Sequence, residues 1–119
     1  MVASLPDPPD RAIAGIPFSD VVWATNRRLP PVARQVDAID LDRLYRPVSP
    51  TALACLVPPS GRFVYGAVAD RITKPGQATA LWKHWGEPAV CWYPGSHLSA
   101  LWSRPVHRFV ATALGEHMR

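Results

Sequence analysis

Two hydrophobic periods alternate along the second half of this chain. Arg62 to Val68 is a run of β-branched and aromatic residues bounded by Gly61 and Asp70, which predicts a strand. From Thr73 to about Trp85 the period changes. Ala78, Leu81, Trp82 and Trp85 fall at helical spacing, with Thr73 as the cap, Pro75 in the first turn and Gly86 as the stop. Ala89 to Tyr93 predicts a second strand, closed by Pro94 and Gly95. A last helix is predicted from Arg104 or Pro105 to Gly115, with Val106, Phe109, Val110, Ala113 and Leu114 on its apolar face. Strand, helix, strand, helix in this order implies parallel strands with helices on their faces and a right-handed crossover.

The first half is less regular. Most of the 14 prolines precede residue 60, which disfavours long helices there. Residues 1–11 read as a disordered lead. The short apolar run from Ala12 to Pro17 suits a strand buried on both faces, so the fold class is α/β with a short parallel sheet of about three strands. Asp20 to Arg28 shows weak helical periodicity through Val21, Val22 and Trp23, broken from Asn26 to Pro31. Asp40 to Arg46 predicts a short helix capped by Asp40, with Leu41, Leu44 and Tyr45 on one face, stopped by Pro47. Ser49 and Pro50 read as the cap and first residue of another helix, and Val57 to Gly61 as a turn.

Composition narrows the function classes. The chain has 119 residues, 48% apolar and 18% charged, which is one globular domain or a piece of one. Its net charge of +4 comes mostly from arginines scattered singly or in pairs, and no basic run marks a nucleic-acid partner. The two cysteines, Cys55 and Cys91, are too few for a disulfide scaffold and fit a reducing, cytoplasmic setting. The opening residues lack the apolar core of a secretory signal, and no apolar stretch approaches the roughly 18 residues a membrane span needs. No cofactor or metal is expected. His84, His97, His107 and His117 lack ligand spacing, and Gly61, Gly66 and Gly76 make no phosphate-binding fingerprint. Cys91 sits inside a predicted strand rather than on a turn, a poor place for an activated thiol.

Two polar residues remain at the carboxyl ends of the predicted strands, where open parallel sheets bind their ligands. Asp70 follows the first of these strands, and His97 follows the second in Tyr93-Pro94-Gly95-Ser96-His97. They lie 27 positions apart, the length of one crossover between neighbouring parallel strands. The topology therefore brings a carboxylate and an imidazole to one edge of the sheet. A carboxylate beside a histidine fixes its tautomer and stabilises the imidazolium, as a general base in acyl transfer requires. Each residue also has a plainer role: Asp as a turn former or helix cap, His as an ordinary loop residue.

From Tyr65 to Leu101 the chain resembles the C-terminal region of bacterial α/β-hydrolases of the esterase and lipase kind. Gly66-Ala67-Val68-Ala69-Asp70-Arg71 is similar to their acid loop, Leu81-Trp82-Lys83-His84-Trp85-Gly86 to the helix that follows, and Pro94-Gly95-Ser96-His97 to their histidine loop. Leu44 to Pro50 also looks like the segment that precedes the acid strand, so the resemblance runs over roughly residues 12–115. It implies Asp70 as the triad acid, His97 as the triad base, and residues 12–119 as a partial hydrolase domain.

The nucleophile has no counterpart. In these enzymes it sits on a G-x-S-x-G elbow upstream of the acid. Of the upstream serines, Ser4, Ser19, Ser49 and Ser60, none is flanked by glycines in that pattern. The resemblance thus implies a C-terminal hydrolase fragment that carries acid and histidine and is inactive alone, because no acyl-enzyme can form. Its sheet would end at an open edge prone to association. The partner expected there is the missing N-terminal half, or a second copy. The alternative is a non-catalytic interaction module that uses the same edge.

Overall fold

Strand pairing sets the frame of the molecule. A computed structural model describes residues 2–20 and 38–115. In it, β1 (Ala12–Gly15), β2 (Arg62–Ala67) and β3 (Ala89–Tyr93) form one parallel sheet with β2 in the centre. Ala14 lies opposite Val64, and Tyr65 opposite Cys91. Among the described residues three α-helices accompany the strands: α1 (Ala38–Tyr45), α2 (Pro75–His84) and α3 (Arg104–Leu114). The alternating pattern of the second half is thus a parallel α/β arrangement.

Side chains alternate between the two faces of a strand, and each face has its own core. On one face Val64 packs with Val57, Leu81 and Trp85, flanked by Ala12, Ala14 and Val90. On the other, Ala67 and Tyr93 pack with Ala100 and Val106, flanked by Tyr65, Cys91 and Val110. Phe63 meets Phe109 of α3 edge to face, with ring centroids 5.9 Å apart. Gly66 lets α2 approach the sheet. A Cβ there would lie 2.4 Å from the Trp92 ring and 2.9 Å from Ala78 Cβ, so only hydrogen fits.

Helix ends differ from the sequence expectation in instructive ways. The cap of α2 is Lys74, with no side-chain capping bond, rather than Thr73. Thr73 is buried, and its amide is taken by Asp70 instead. Gly86, at φ +82°, follows the end of α2, and Gly115, at φ +78°, closes α3; both adopt the left-handed backbone that favours glycine. On α3 the stripe is shifted: Ala111 is buried and Leu114 exposed. Helix α1 begins at Ala38, so Asp40 lies within its first turn rather than at its cap, and Leu44 is 67% exposed. Ser49 does precede a 3-10 turn (Pro50–Ala52), but its hydroxyl donates to the Ser19 carbonyl rather than to that turn.

Within the lead that the sequence reads as disordered, Val2–Ser4 form a 3-10 turn. Ala3 is buried in the α2-face core, and its carbonyl accepts the Leu56 amide at 2.8 Å. At the other end of the lead, Arg11 Nη1 donates to the Ala113 carbonyl at 2.7 Å. The periodicity through Val21, Val22 and Trp23, the break from Asn26 to Pro31, and His117 fall outside the described residues.

Candidate functional site

The parallel ladder continues past the strands. The Val68 amide donates to the Tyr93 carbonyl, and the Ala69 amide to the Gly95 carbonyl, each at 3.1 Å. The two loops therefore leave the sheet edge side by side, and Asp70 and His97 emerge as neighbours. The turn after Asp70 is folded on its own carboxylate: Oδ1 accepts the amides of Ile72 at 2.8 Å and Thr73 at 2.9 Å. Oδ2 is left to bond His97 Nδ1 at 2.8 Å. One carboxylate thus fills both roles the sequence allowed it, turn former and partner of the imidazole.

Burial and charge favour this pairing. The Asp70 side chain is fully buried, whereas that of His97 is 31% exposed. Burial works to raise the Asp70 pKa. The hydrogen bond from His97, those from the Thr73 and Ile72 amides, and the charge of His97 outweigh it, and the carboxyl is held below its ordinary value. An ionised Asp70 accepts, so Nδ1 carries the hydrogen, and in the neutral form of the imidazole Nε2 presents a lone pair. Among the described residues Nε2 has no hydrogen-bond partner. Such an imidazole can take a proton at Nε2 while the buried carboxylate stabilises the resulting cation.

The other candidates lie elsewhere. Ser19 is fully buried, and its hydroxyl donates to the Gln77 carbonyl at 2.6 Å. Ser49 is buried against the Ser19 carbonyl, and Ser60 is exposed on the turn before β2. The Ser4 hydroxyl, in the 3-10 turn of the lead, is buried without a partner among the described residues. Cys91 is half-buried in β3, and burial pushes its thiol up, away from the reactive thiolate. His84 bonds the Leu53 carbonyl at 2.7 Å, and His107 lies on the exposed side of α3. Among the described residues no group of three or more His, Cys, Asp or Glu side chains could hold a metal ion. Nor is any helix there long and apolar enough to cross a membrane.

Sequence reasoning missed the residues that hold the loops. Tyr93 is buried at the end of β3, and its hydroxyl donates to the Ser96 carbonyl at 3.0 Å. Burial first, and then the charges of Asp70 and Tyr65, push this phenol up against the opposing bonds with Ser99 and Ala100. Its position at the strand end, on the same face as Cys91, was the available signal. The two loops are also fringed with exposed apolar side chains: Val68 and Ile72 on one, Leu98, Leu101 and the 75% exposed Trp102 on the other.

Two relatives share most of this chain. It is 41% identical over 118 residues to the uncharacterized proteins MT2702 and Rv2627c of Mycobacterium tuberculosis, strains CDC 1551 / Oshkosh and H37Rv. No family model and no solved structure matches. The matched region takes in 96% of this chain but 29% of each relative, so the chain spans less than a third of the length of the curated relatives it matches.

Proposed function

We propose that this chain is the acid–base part of a serine-type carboxylic-ester hydrolase, with the nucleophile supplied by a separate segment. The observation that carries the reading is the 2.8 Å bond from His97 Nδ1 to the buried Asp70, with Nε2 unpartnered among the described residues. In this role Nε2 takes the proton of an attacking serine hydroxyl as its oxygen bonds the ester carbonyl carbon. It then returns that proton to the leaving alkoxide, and a water repeats the sequence to free the acid. The apolar side chains around the two loops give the completing segment a surface to cover. Among the described residues, the outer edge of β1 pairs with no strand and offers that segment backbone groups. The free cysteines fit a cytoplasmic location, and neither a cofactor nor a nucleic-acid partner is part of the reading.

The decisive experiment adds the missing part. The chain is purified alone, and again after co-expression with the portion of the Mycobacterium tuberculosis relative that lies outside the matched region. Hydrolysis of a short-chain aryl ester is then followed. Alone, the chain is expected to show no hydrolysis above background. The complex is expected to hydrolyse the ester and to lose at least about 100-fold in rate with His97→Ala. Robust hydrolysis by the chain alone, or a stoichiometric complex without activity, would sink the proposal. The latter result would favour the second reading, a non-catalytic interaction module, for which the β1 edge, unpaired among the described residues, is the supporting observation.

A further inference from the structure

The carbonyl that precedes His97 is held from three directions. Ser96 C=O accepts the Tyr93 hydroxyl at 3.0 Å, the Ser99 hydroxyl at 2.9 Å and the Ser99 amide at 3.2 Å. The Tyr93 ring lies directly beneath the loop. A Cβ on Gly95 would fall 2.7 Å from ring atom Cε2 and 2.2 Å from Ser99 Oγ, so the loop closes over the ring only because residue 95 has no side chain. The Tyr93 carbonyl meanwhile accepts the Val68 amide of the acid loop. One buried residue therefore touches both loops of the pair. A phenylalanine would fill the same apolar space, so the hydroxyl is not needed for packing; its donated bond goes to the backbone immediately before the base.

We propose that Tyr93, assisted by Ser99, is a positioning residue for His97: by fixing the Ser96 carbonyl it sets the turn from which the imidazole projects and keeps Nδ1 on Asp70 Oδ2. Neither side chain is assigned contact with reacting atoms. The proposal rests on the acid–base reading of the pair. Its physical basis is the narrow range of a hydrogen bond. At 2.8 Å, displacement of the ring by several tenths of an ångström, or misalignment below about 120°, weakens it steeply. A Ser96 peptide released from its donors can rotate and carry His97 through such a displacement.

The test uses the full chain in solution by NMR, reading the low-field Nδ1 proton of His97 and the pH titration of the Asp70 carboxyl carbon. Wild-type protein is expected to show the low-field proton and an Asp70 that titrates below the ordinary carboxylate range. Tyr93→Phe keeps the ring and is expected to keep a cooperative melt. It is expected to lose the low-field proton and to move the Asp70 titration upward, toward that of His97→Ala. Ser99→Ala is expected to broaden the same proton without abolishing it. Tyr93→Phe with both signals unchanged overturns the proposal. Should that variant fail to fold, Ser99→Ala decides, and unchanged signals there overturn it equally. Absence of the low-field proton in wild type is a separate failure: it removes the pair itself, and the role of Tyr93 with it.

Discussion

The two faces of the sheet are covered unequally. Over the α2 face, Val57, Val64, Leu81 and Trp85 are buried almost completely. Arg62 seals the corner by donating to the carbonyls of Val57, Trp85 and Cys55 at 2.7, 2.8 and 3.2 Å. Over the α3 face, Tyr65 and Val110 are only half-buried, and an apolar groove of about 360 Å³ runs between Tyr65, Leu101, Val110 and Leu114. The first face resembles the interior of a finished protein. The second keeps an open groove beside an equally buried centre of Ala67, Tyr93 and Val106, and the exposed apolar fringe of Asp70 and His97 adjoins it through Leu101. The comparison separates the source of stability from the place where a partner would act.

A cavity should therefore cost far more on the closed face than on the open one. Leu81 is 1% exposed, and truncating it removes buried contacts with little scope for collapse. Leu81→Ala is expected to lower unfolding free energy by about 3 kcal/mol. Val110→Ala, on the half-open side, should cost about 1 kcal/mol, since less area leaves the interior. Urea denaturation of the two variants checks this. Equal losses would break the comparison, because they would mean that the α3 face is as closely packed as the α2 face.

The site lies between these extremes, and pH reads it. Asp70 has a lowered pKa when folded, so its stabilising contribution is fully present above the unfolded carboxylate value of 3.8 and is lost as pH falls through the folded value. Asp70→Asn cannot titrate. It should cost about 2 kcal/mol near neutral pH, where a charged acceptor is removed from three donors. The deficit should shrink as the wild type is acidified below 3.8, because the wild type alone loses its carboxylate there. Unfolding free energies of both proteins across this range measure the difference. A pH-independent deficit would show that Asp70 acts through shape alone.

Local periodicity made much of this legible, and non-local polar bonds account for most of what it missed. The strands at 62–67 and 89–93, and the close juxtaposition of Asp70 and His97, follow from β-branched runs and the length of one crossover. Arg62 reads locally as the polar first residue of a strand, yet its guanidinium satisfies three carbonyls, one of them 23 positions away. Gln77 is a polar residue next to the apolar stripe of α2. It is buried, with its Oε1 accepting the amides of Ser19 at 2.9 Å and Asp20 at 2.6 Å. Residue spacing along the chain carries no signal for such bonds, because their partners are brought together only by the assembled sheet. Leu114 shows the same limit for apolar residues: the helical stripe includes it, but the layer that would cover it is not among the described residues.

The exposed side chains beside the groove yield the smallest expected effect on stability and the most direct view of the open side. Leu101 and Trp102 are exposed at 67% and 75%, so replacing both with serine should change unfolding free energy by less than about 0.5 kcal/mol. Exposed apolar area in contiguous patches nevertheless drives association. The double variant should therefore shift the chain toward monomer in analytical ultracentrifugation and weaken its co-purification with the completing segment. Serines at these positions leave the sheet, Asp70 and the His97 backbone turn in place, so reduced association at unchanged stability would isolate the open face as the contact surface. A loss of stability on the scale of Leu81→Ala would reverse that inference, because it would mean the fringe is already supporting the fold of the chain itself.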